Sequence, residues 1–221
     1  MATISKENYL KAIYTLGEGN SKLVSSTSLA KELNVSKAAI SEMASRLAGQ
    51  GFIDYKKYKG IKILSKGKKL AISVIRKHRL WELFLVDSLG LSWDEVHNEA
   101  EKLEHCTTDF LIDKIDEHLK FPKTDPHGDP IPNKNGDFRT VWNDMSMKEC
   151  VENKSYTIVR VNDRSDDFMK YLSKIKFLLN KEFIVIEKLA FDGSLKIEID
   201  KIKHMLSEKI IENIFVREIK N

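Results

Sequence analysis

The chain has 221 residues, of which 42% are hydrophobic, and its formal net charge is +4 at pH 7. A chain of this length can form one large domain or two to three small ones, and its hydrophobic content is sufficient for a buried core. No apolar run approaches the roughly 20 residues that a membrane-spanning helix needs, and residues 1–8 lack the basic and apolar segments of a secretory signal peptide. We therefore expect a globular cytoplasmic protein that does not enter a membrane.

The charges are distributed unevenly along the chain. Residues 1–77 carry 15 basic and 5 acidic side chains, residues 78–149 carry 8 and 16, and residues 150–221 carry 14 and 12. A basic N-terminal segment attracts the phosphate backbone of nucleic acid, and an acidic middle segment attracts cations. The two cysteines form no CxxC pair, which suits a reducing compartment, and we expect Cys106 to be a buried apolar residue.

The first 65 residues have the pattern of a winged helix-turn-helix. Apolar residues at helical spacing predict a helix over residues 6–17, a second one after residue 28 and a third one capped by Ser36. Two short strands, residues 52–55 and 61–64, then flank a basic turn. The order helix, helix, turn, helix and hairpin is typical of a DNA-binding domain.

The remaining sequence predicts further helices, a loop rich in proline and a C-terminal β domain. We expect helices from Ser65 to about Ser88, from Trp93 onward after a capping box of Ser92 and Glu95, and from about Asp109 to Leu119. Strand patterns at residues 156–161, 183–186 and 195–199, with a short helix near 166–177, predict a small barrel. The fold class is therefore mainly α with small β parts. The predicted domains are residues 1–65, 66–149 and 150–221.

The exposed side of the third helix carries the side chains that we expect to contact DNA. Small and hydroxylated side chains let a helix approach base edges, while Lys37 and Arg46 can contact phosphates. In the wing, Lys57 and Lys59 would clamp the DNA backbone. A solvated lysine turn is the alternative interpretation, but the excess positive charge in residues 1–77 favours DNA. The candidates on the third helix are Ser36, Lys37, Ala38, Ala39, Ser41, Glu42, Ser45 and Arg46.

Five of the six histidines fall within residues 78–127, among several carboxylates. On the helix predicted from Trp93, one stripe contains His97, Glu101, Glu104 and His105. The preceding helix adds His78 and Glu82 at i and i+4, and antiparallel helices joined by a short link would bring both sets together. The alternative is a solvated helix face. Imidazole and carboxylate ligands without thiolate favour manganese(II), iron(II) or zinc.

The other histidines are less informative. His118 and His204 have no helical partner set, so we expect ordinary surface histidines. His127 lies in the turn Asp125–Gly128, and its residue pattern fits a ligand and a structural histidine equally well.

Three segments together resemble the diphtheria-toxin-repressor and manganese-transport-regulator family of metal-dependent transcriptional repressors. They are residues 8–14 (NYLKAIY), 76–82 (RKHRLWE) and 96–105 (VHNEAEKLEH). The resemblance covers nearly the whole chain. It implies homodimers in which each subunit has a winged-helix domain, a helical dimerisation and metal-binding domain, and an SH3-like (FeoA-like) C-terminal domain.

The resemblance also implies ligands at two metal sites. It makes Glu101, Glu104 and His105, together with Asn8, ligands of a regulatory site. It makes His78, Glu82 and His97 ligands of a second site, to which the SH3-like domain can add Asp163 or Asp167. Some members have a cysteine and a histidine where this chain has Asp125 and His127, which makes these two residues further candidates.

The chain departs from both branches of that family. Manganese-type members have an acid at the position of Asn8 and often another at Lys11, whereas iron-type members have methionine at the first position and cysteine at Glu101. Asn8 can still offer a carbonyl oxygen, but we expect that Lys11 does not bind metal, which disfavours a paired-ion site. We expect manganese(II) first and iron(II) next, with zinc possible in a crystal.

These features predict a metal-dependent repressor of metal-uptake genes that binds palindromic operator DNA as a homodimer. We expect no catalytic residues and no small-molecule substrate. One alternative is a metal-dependent hydrolase, which would show turnover but would not account for the basic N-terminal segment. The other is a metal-independent winged-helix regulator, whose DNA affinity would survive alanine at Glu104 and His105. Activation instead of repression also remains open.

Overall fold

The computed structural model describes residues 6–56, 59–140, 143–163 and 165–219, without the side chains of Asn20 and Asp166. The chain forms two compact units. The first comprises residues 1–78, 104–107 and 132–137, and the second comprises residues 79–103, 108–131 and 138–221. The limits of the three domains expected from the sequence remain predictions.

The first unit contains the predicted winged helix-turn-helix. Its elements are α1 (Lys6–Leu16), α2 (Ser26–Glu32), α3 (Lys37–Gly49), β1 (Ile53–Lys56), β2 (Gly60–Ile63) and the start of α4 (Ser65–Leu89). Ser25 and Ser36 cap α2 and α3, since their hydroxyl oxygens accept hydrogen bonds from backbone N–H groups of the first helical turn. Each of the six elements contributes apolar side chains to one core, among them Leu10, Leu29, Ile40, Ile53, Ile61 and Ala71.

The second unit begins with the remainder of α4 and two shorter helices, α5 (Val96–Leu103) and α6 (Asp109–His118). A small core of Leu80, Ile112, Ile115 and Ile131 joins α4, α6 and the proline-rich loop. The predicted start of α5 at Trp93 is wrong by three residues. The Ser92 hydroxyl and backbone N–H do donate to Glu95, but Trp93 lies in a turn before the helix and packs against the core of the β-sheet.

A six-stranded antiparallel sheet forms the rest of the second unit. Its strands are β3 (Met145–Ser146), β4 (Ser155–Val161), β5 (Glu182–Lys188), β6 (Leu195–Ile199), β7 (Ile202–Leu206) and β8 (Ile214–Glu218), in the order β3-β8-β4-β5-β6-β7. The helices α7 (Asp166–Lys174) and α8 (Glu208–Ile211) connect strands. Alternate residues of β6 are buried, as expected for a strand with one face on the core.

The strands β3, β7 and β8 were not predicted from the sequence. The turn between β6 and β7 consists of Asp200 and Lys201, both with positive φ (51° and 66°), whereas two-residue hairpin turns usually carry Asn-Gly or Asp-Gly. β7 is also an edge strand in which only Leu206 is buried, so it lacks the alternating apolar pattern of a core strand.

We find no helix among the described residues with the length and apolar character that crossing a membrane requires.

Gly67 allows α4 to pack closely against the hairpin of the first unit. A Cβ atom at this position would lie 2.2 Å from the Phe52 carbonyl oxygen and 2.9 Å from Ile63 Cγ1. We expect Gly67→Ala to destabilise the protein by about 1 to 3 kcal/mol, because backbone must move to accommodate the methyl group. Thermal unfolding monitored by circular dichroism measures the effect.

Gly49→Ala is the matched control. This glycine also lies in a helix, and a Cβ atom there would meet no atom within 4 Å. It should leave the melting temperature unchanged or raise it slightly. Equal melting temperatures for the two variants would contradict the proposed close packing.

Candidate metal centre

The carboxylate of Glu104 is fully buried in the first unit, and one ammonium group and two imidazoles lie next to it. Its Oε2 atom accepts a hydrogen bond from Lys11 Nζ at 2.8 Å and lies 2.6 Å from His78 Nδ1. Because a carboxylate only accepts, the His78 Nδ1–H must donate. We refer to Glu7, Lys11, His78, Glu104 and His105 as the Glu104 cluster.

His105 connects this cluster to α1 a second time. Its Nδ1 atom lies 2.6 Å from Glu7 Oε2, so Nδ1–H donates and Nε2 is the ring nitrogen that can bind an ion. The Nε2 atom faces Glu104 Oε1 at 3.4 Å. Among the described residues, both of these buried atoms lack a hydrogen-bond partner. Two ligands at this separation can share one divalent ion with bonds of about 2.1 Å.

The first helix meets His105 through a residue that the sequence analysis did not name. Asn8, the predicted ligand, is half-buried on α1, and its neighbour Glu7 contacts His105. An acid in the first turn of α1 is the one signal that could have indicated Glu7. Glu101 is half-buried on α5, three residues before Glu104.

A second group of ligand-type residues lies in the second unit around Glu82, whose side chain is fully buried. His97 Nδ1 on α5 lies 3.2 Å from Glu82 Oε1 and 3.0 Å from Asp163 Oδ2. Asp163 belongs to the segment that follows strand β4. We refer to Glu82, His97, Asp125, His127 and Asp163 as the Glu82 cluster. The sheet thus adds a carboxylate to residues from the helices.

His127 is fully buried in the Glu82 cluster, and one contact defines which of its two ring nitrogens can bind an ion. Its Nε2–H donates to the carbonyl oxygen of Trp93 at 2.7 Å, which leaves Nδ1 as the ligand nitrogen. Nδ1 lies 3.6 Å from Glu82 Oε2 and 3.5 Å from Asp163 Oδ2, and it makes no hydrogen bond among the described residues. These separations also fit ligands of one ion.

Asp125 supports the turn that holds His127. Its Oδ1 atom accepts hydrogen bonds from the backbone N–H groups of His127 and Asp129, at 2.9 and 2.8 Å. Its Oδ2 atom lies 3.6 Å from Arg79 Nε. Burial, with Asp129 and Glu82 nearby, raises the pKa of Asp125 well above its usual range. Asp125 therefore stabilises the turn, and one of its ligand atoms also lies within 4.8 Å of ligand atoms of Glu82 and His127.

The carboxylates strongly affect the two imidazoles of the Glu82 cluster. Burial alone would lower the pKa of His97, but its hydrogen bonds to Asp163 and Glu82 outweigh burial and raise the pKa to about 10. Burial is likewise outweighed at His127, where Glu82 and Asp163 raise the pKa to about 10. The neighbouring carboxylates therefore favour the imidazolium form of both rings when no ion is bound.

One candidate ligand, Asp167, and both cysteines lie outside these clusters. Asp167 is exposed on α7, so of the two acids considered for the C-terminal domain only Asp163 joins the Glu82 cluster. The expectation that Cys106 is buried is wrong, because its side chain is exposed. Cys150 is buried, and burial raises the pKa of its thiol to about 12.

The candidate DNA-contacting face lies on α3, in the first unit. Ile40, Met43, Ala44 and Leu47 are buried, and the opposite side is exposed at Lys37, Glu42, Ser45 and Arg46. Ser36 and Ala38 are exposed as well, while Ala39 and Ser41 are half-buried. Lys59 is exposed at the wing, and Lys57 lies outside the described residues.

Three family profiles match successive parts of the chain. The family described as "Iron dependent repressor, N-terminal DNA binding domain" matches residues 1–61, and "Iron dependent repressor, metal binding and dimerisation domain" matches residues 64–133. "FeoA domain" matches residues 145–218.

Individual proteins are similar over large parts of the chain. The iron-dependent repressor IdeR of Mycobacterium tuberculosis is 37% identical over 126 residues, which are 57% of this chain and 54% of that protein. The match thus spans about half the length of this relative. A solved manganese-dependent transcriptional repressor in complex with manganese is 34% identical, with 96% of this chain and 99% of the other covered and a TM-score of 0.89. ScaR with bound Zn²⁺ is 33% identical, with 97% and 100% covered and a TM-score of 0.84.

Metal binding at the Glu82 cluster should release protons. His97 and His127 are protonated at neutral pH because each pKa is raised to about 10, and a ring nitrogen must lose its proton to bind an ion. Apparent metal affinity should therefore increase with pH between about 6 and 8. Calorimetric titration in buffers of different ionisation enthalpy counts the protons, and an affinity that does not vary with pH would contradict ligation by these rings.

The turn at Gly128 should be essential for the Glu82 cluster. Gly128 has φ +90°, and a Cβ atom there would lie 2.2 Å from the Val159 carbonyl oxygen. Gly128→Ala should displace the turn that carries His127 and weaken metal binding at this cluster. Gly136→Ala is a matched control, since Gly136 has φ +89° but its Cβ atom would lie 3.4 Å from the nearest side chain, Ile72. Equal loss of bound metal in the two variants, counted by elemental analysis, would refute this.

Proposed function

Because the chain belongs to the family of iron-dependent repressors, we propose that it is a metal-dependent transcriptional repressor that binds operator DNA as a homodimer and controls metal homeostasis. The main support is that one compact unit contains both a winged helix and the Glu104 cluster. In that cluster, Glu104 Oε1 and His105 Nε2 are buried and lack hydrogen-bond partners among the described residues. Because an unsatisfied buried polar atom is costly, this pair fits an ion that bonds to both atoms.

The Glu104 cluster would be the regulatory site. We propose Glu101, Glu104, His105 and Asn8 as its ligands. Glu7 would orient His105, since its carboxylate accepts the Nδ1–H bond and leaves Nε2 for the ion. A bound ion supplies positive charge that neutralises these carboxylates. The chain's own contacts between α1 and residues 104–105 then connect this neutralisation to the DNA-binding helices.

The Glu82 cluster would be a second metal site. We propose His78, Glu82, His97, His127 and Asp163 as ligands, with Asp125 as a further oxygen donor. The Trp93 carbonyl fixes the tautomer of His127, and the Trp93 indole N–H donates to Ser173 on α7 at 2.8 Å. Through Trp93 and Asp163, this site would join the helices of the second unit to its sheet.

We propose manganese(II) as the physiological ion, with iron(II) as the second candidate. The donors of both clusters are carboxylate oxygens and imidazole nitrogens. Hard oxygen donors suit manganese(II), whereas soft metal ions prefer sulfur ligands. Asp125 would add oxygen where some relatives carry a thiolate. Among the similar solved structures, one repressor is in complex with manganese and ScaR has bound Zn²⁺.

On DNA, the exposed face of α3 would enter the major groove. Ser36, Lys37, Ala38, Ala39, Ser41, Glu42, Ser45 and Arg46 would lie along the base edges and phosphates, with Lys57 and Lys59 of the wing on the backbone. A homodimer would place two such helices on a palindromic operator, and DNA binding would place the protein in the cytoplasm.

A hydrolase would show turnover, whereas this family is one of transcriptional regulators, so we propose no enzymatic activity.

The direct test is DNA binding with and without metal in matched variants. Operator binding, followed by fluorescence anisotropy, should strengthen about 5- to 150-fold with manganese(II), which corresponds to about 1 to 3 kcal/mol of coupling. Glu104→Gln should abolish most of this gain, because it removes the charge of a proposed ligand. Parallel titrations with anaerobic iron(II), zinc(II) and a chelator identify the effector.

Glu117→Gln is the control for a lost carboxylate. Glu117 is exposed on α6 and pairs with Lys114, so its substitution should leave the metal response unchanged. Equal DNA affinity in manganese and in chelator for the unaltered chain would favour the metal-independent regulator instead.

A further inference from the structure

Lys11 has a partner that its position in a basic domain does not predict. It lies on α1 with a side chain only 18% exposed, and its Nζ atom is 2.8 Å from Glu104 Oε2. The Glu104 side chain has no exposed surface. An exposed lysine of a DNA-binding domain would point to solvent or phosphate, but Lys11 points to a proposed metal ligand of the same unit.

The two oxygens of Glu104 have different surroundings. Oε2 receives hydrogen bonds from Lys11 and His78, so the chain itself compensates this oxygen. Oε1 faces His105 Nε2 at 3.4 Å and makes no hydrogen bond among the described residues. One side of the carboxylate is thus occupied by an ammonium group, while the other side remains suited to an ion.

We propose that Lys11 is a tethered cation that joins α1 to Glu104 in the metal-free protein and provides part of the ordering that a bound ion completes. This inference rests on the proposed function of the Glu104 cluster. It adds that metal-free protein retains a specific, Lys11-dependent affinity for operator DNA. It also adds that Oε2 is not a position for a second ion, so this cluster binds one ion per subunit.

The physical reason is the burial of the pair. A buried carboxylate that loses one of its compensating cations is left with an uncompensated charge, and breaking such a pair is strongly unfavourable. Lys11 is on the second turn of α1, one turn after Glu7, which contacts His105. The two contacts hold the same helix at two points, and α1 packs in the core with α2 and α3. Restraining α1 therefore restrains the helices that carry the DNA-contacting face.

Two variants of Lys11, one without a charge and one with a cation, test the proposal. Lys11→Met removes the ammonium and keeps the length of the side chain, and Lys11→Arg restores a cation. Lys22→Met is the control, because Lys22 lies in the same unit and pairs with a glutamate, Glu18, but this pair is exposed on both sides. Operator and scrambled DNA are titrated in chelator and in saturating manganese(II) at low ionic strength, where weak binding is measurable.

In chelator, Lys11→Met should lower operator affinity at least about fivefold relative to Lys22→Met. In saturating manganese(II), the two variants should differ much less, because the ion compensates Glu104 instead. Lys11→Arg should recover most of the operator affinity in chelator. The melting temperatures of the three variants show whether each one folds. If Lys11→Met does not fold, the operator affinity of Lys11→Arg in chelator tests the proposal, because this variant retains the cation.

Any of three results would overturn the inference. Lys11→Met and Lys22→Met could lose the same operator affinity in chelator, or Lys11→Met could lose the same affinity with and without manganese(II). The third result is that the unaltered protein in chelator does not prefer operator DNA over scrambled DNA. Failure of the proposed function has a different signature. In that case manganese(II) adds no operator affinity to the unaltered protein, whatever Lys11 contributes in chelator.

Discussion

Two fully buried carboxylates, those of Glu104 and Glu82, impose the main constraint on this protein. A buried carboxylate loses its hydration, and it is stable only where hydrogen-bond donors or cations replace the lost water. Around Glu104 the chain supplies Lys11 and His78, and around Glu82 it supplies His97. These contacts join segments that are far apart in the sequence, so the need to compensate buried charge is met by the tertiary fold.

In each cluster, compensation by the chain is incomplete in a way that suits a divalent ion. In the described part of the chain, the buried atoms without a hydrogen-bond partner include Glu104 Oε1 and His105 Nε2 in one cluster and His127 Nδ1 in the other. A neighbouring contact fixes the orientation of each imidazole, through Glu7 for His105 and through the Trp93 carbonyl for His127. The chain's own cations and metal ions would thus share the same carboxylates, which offers a physical route from metal concentration to the order of the DNA-binding helices.

Much of the fold could be predicted because its signals are local. The cap Ser36 and the helical spacing of apolar residues identify α3, whereas α2 begins at Ser26, earlier than its apolar pattern after residue 28 indicates. The spacing of His97 and Glu101 identifies α5, but this helix ends at Leu103, so the prediction that Glu104 and His105 lie on it is wrong. The contact of Glu7 with His105 could not be predicted, because the two residues lie 98 positions apart. The family resemblance offered Asp163 and Asp167 together, and only the tertiary fold, which brings Asp163 to His97 across 66 positions, distinguishes them. The burial of His127 depends in the same way on a turn packed against β4, where the backbone N–H of Val161 donates to the His127 carbonyl oxygen. The exposure of Cys106 likewise depends on how residues 104–107 pack, which the helical pattern alone does not determine.

Anomalous diffraction at the manganese absorption edge, from crystals grown with manganese(II), tests the central claim most directly because it locates the ions without reference to activity. The account predicts one anomalous peak bonded to Glu104 Oε1 and His105 Nε2, with Lys11 still on Oε2, and a second peak bonded to His127 Nδ1 with Glu82 and Asp163. Peaks confined to exposed acidic residues, or two peaks sharing the Glu104 carboxylate, would contradict it.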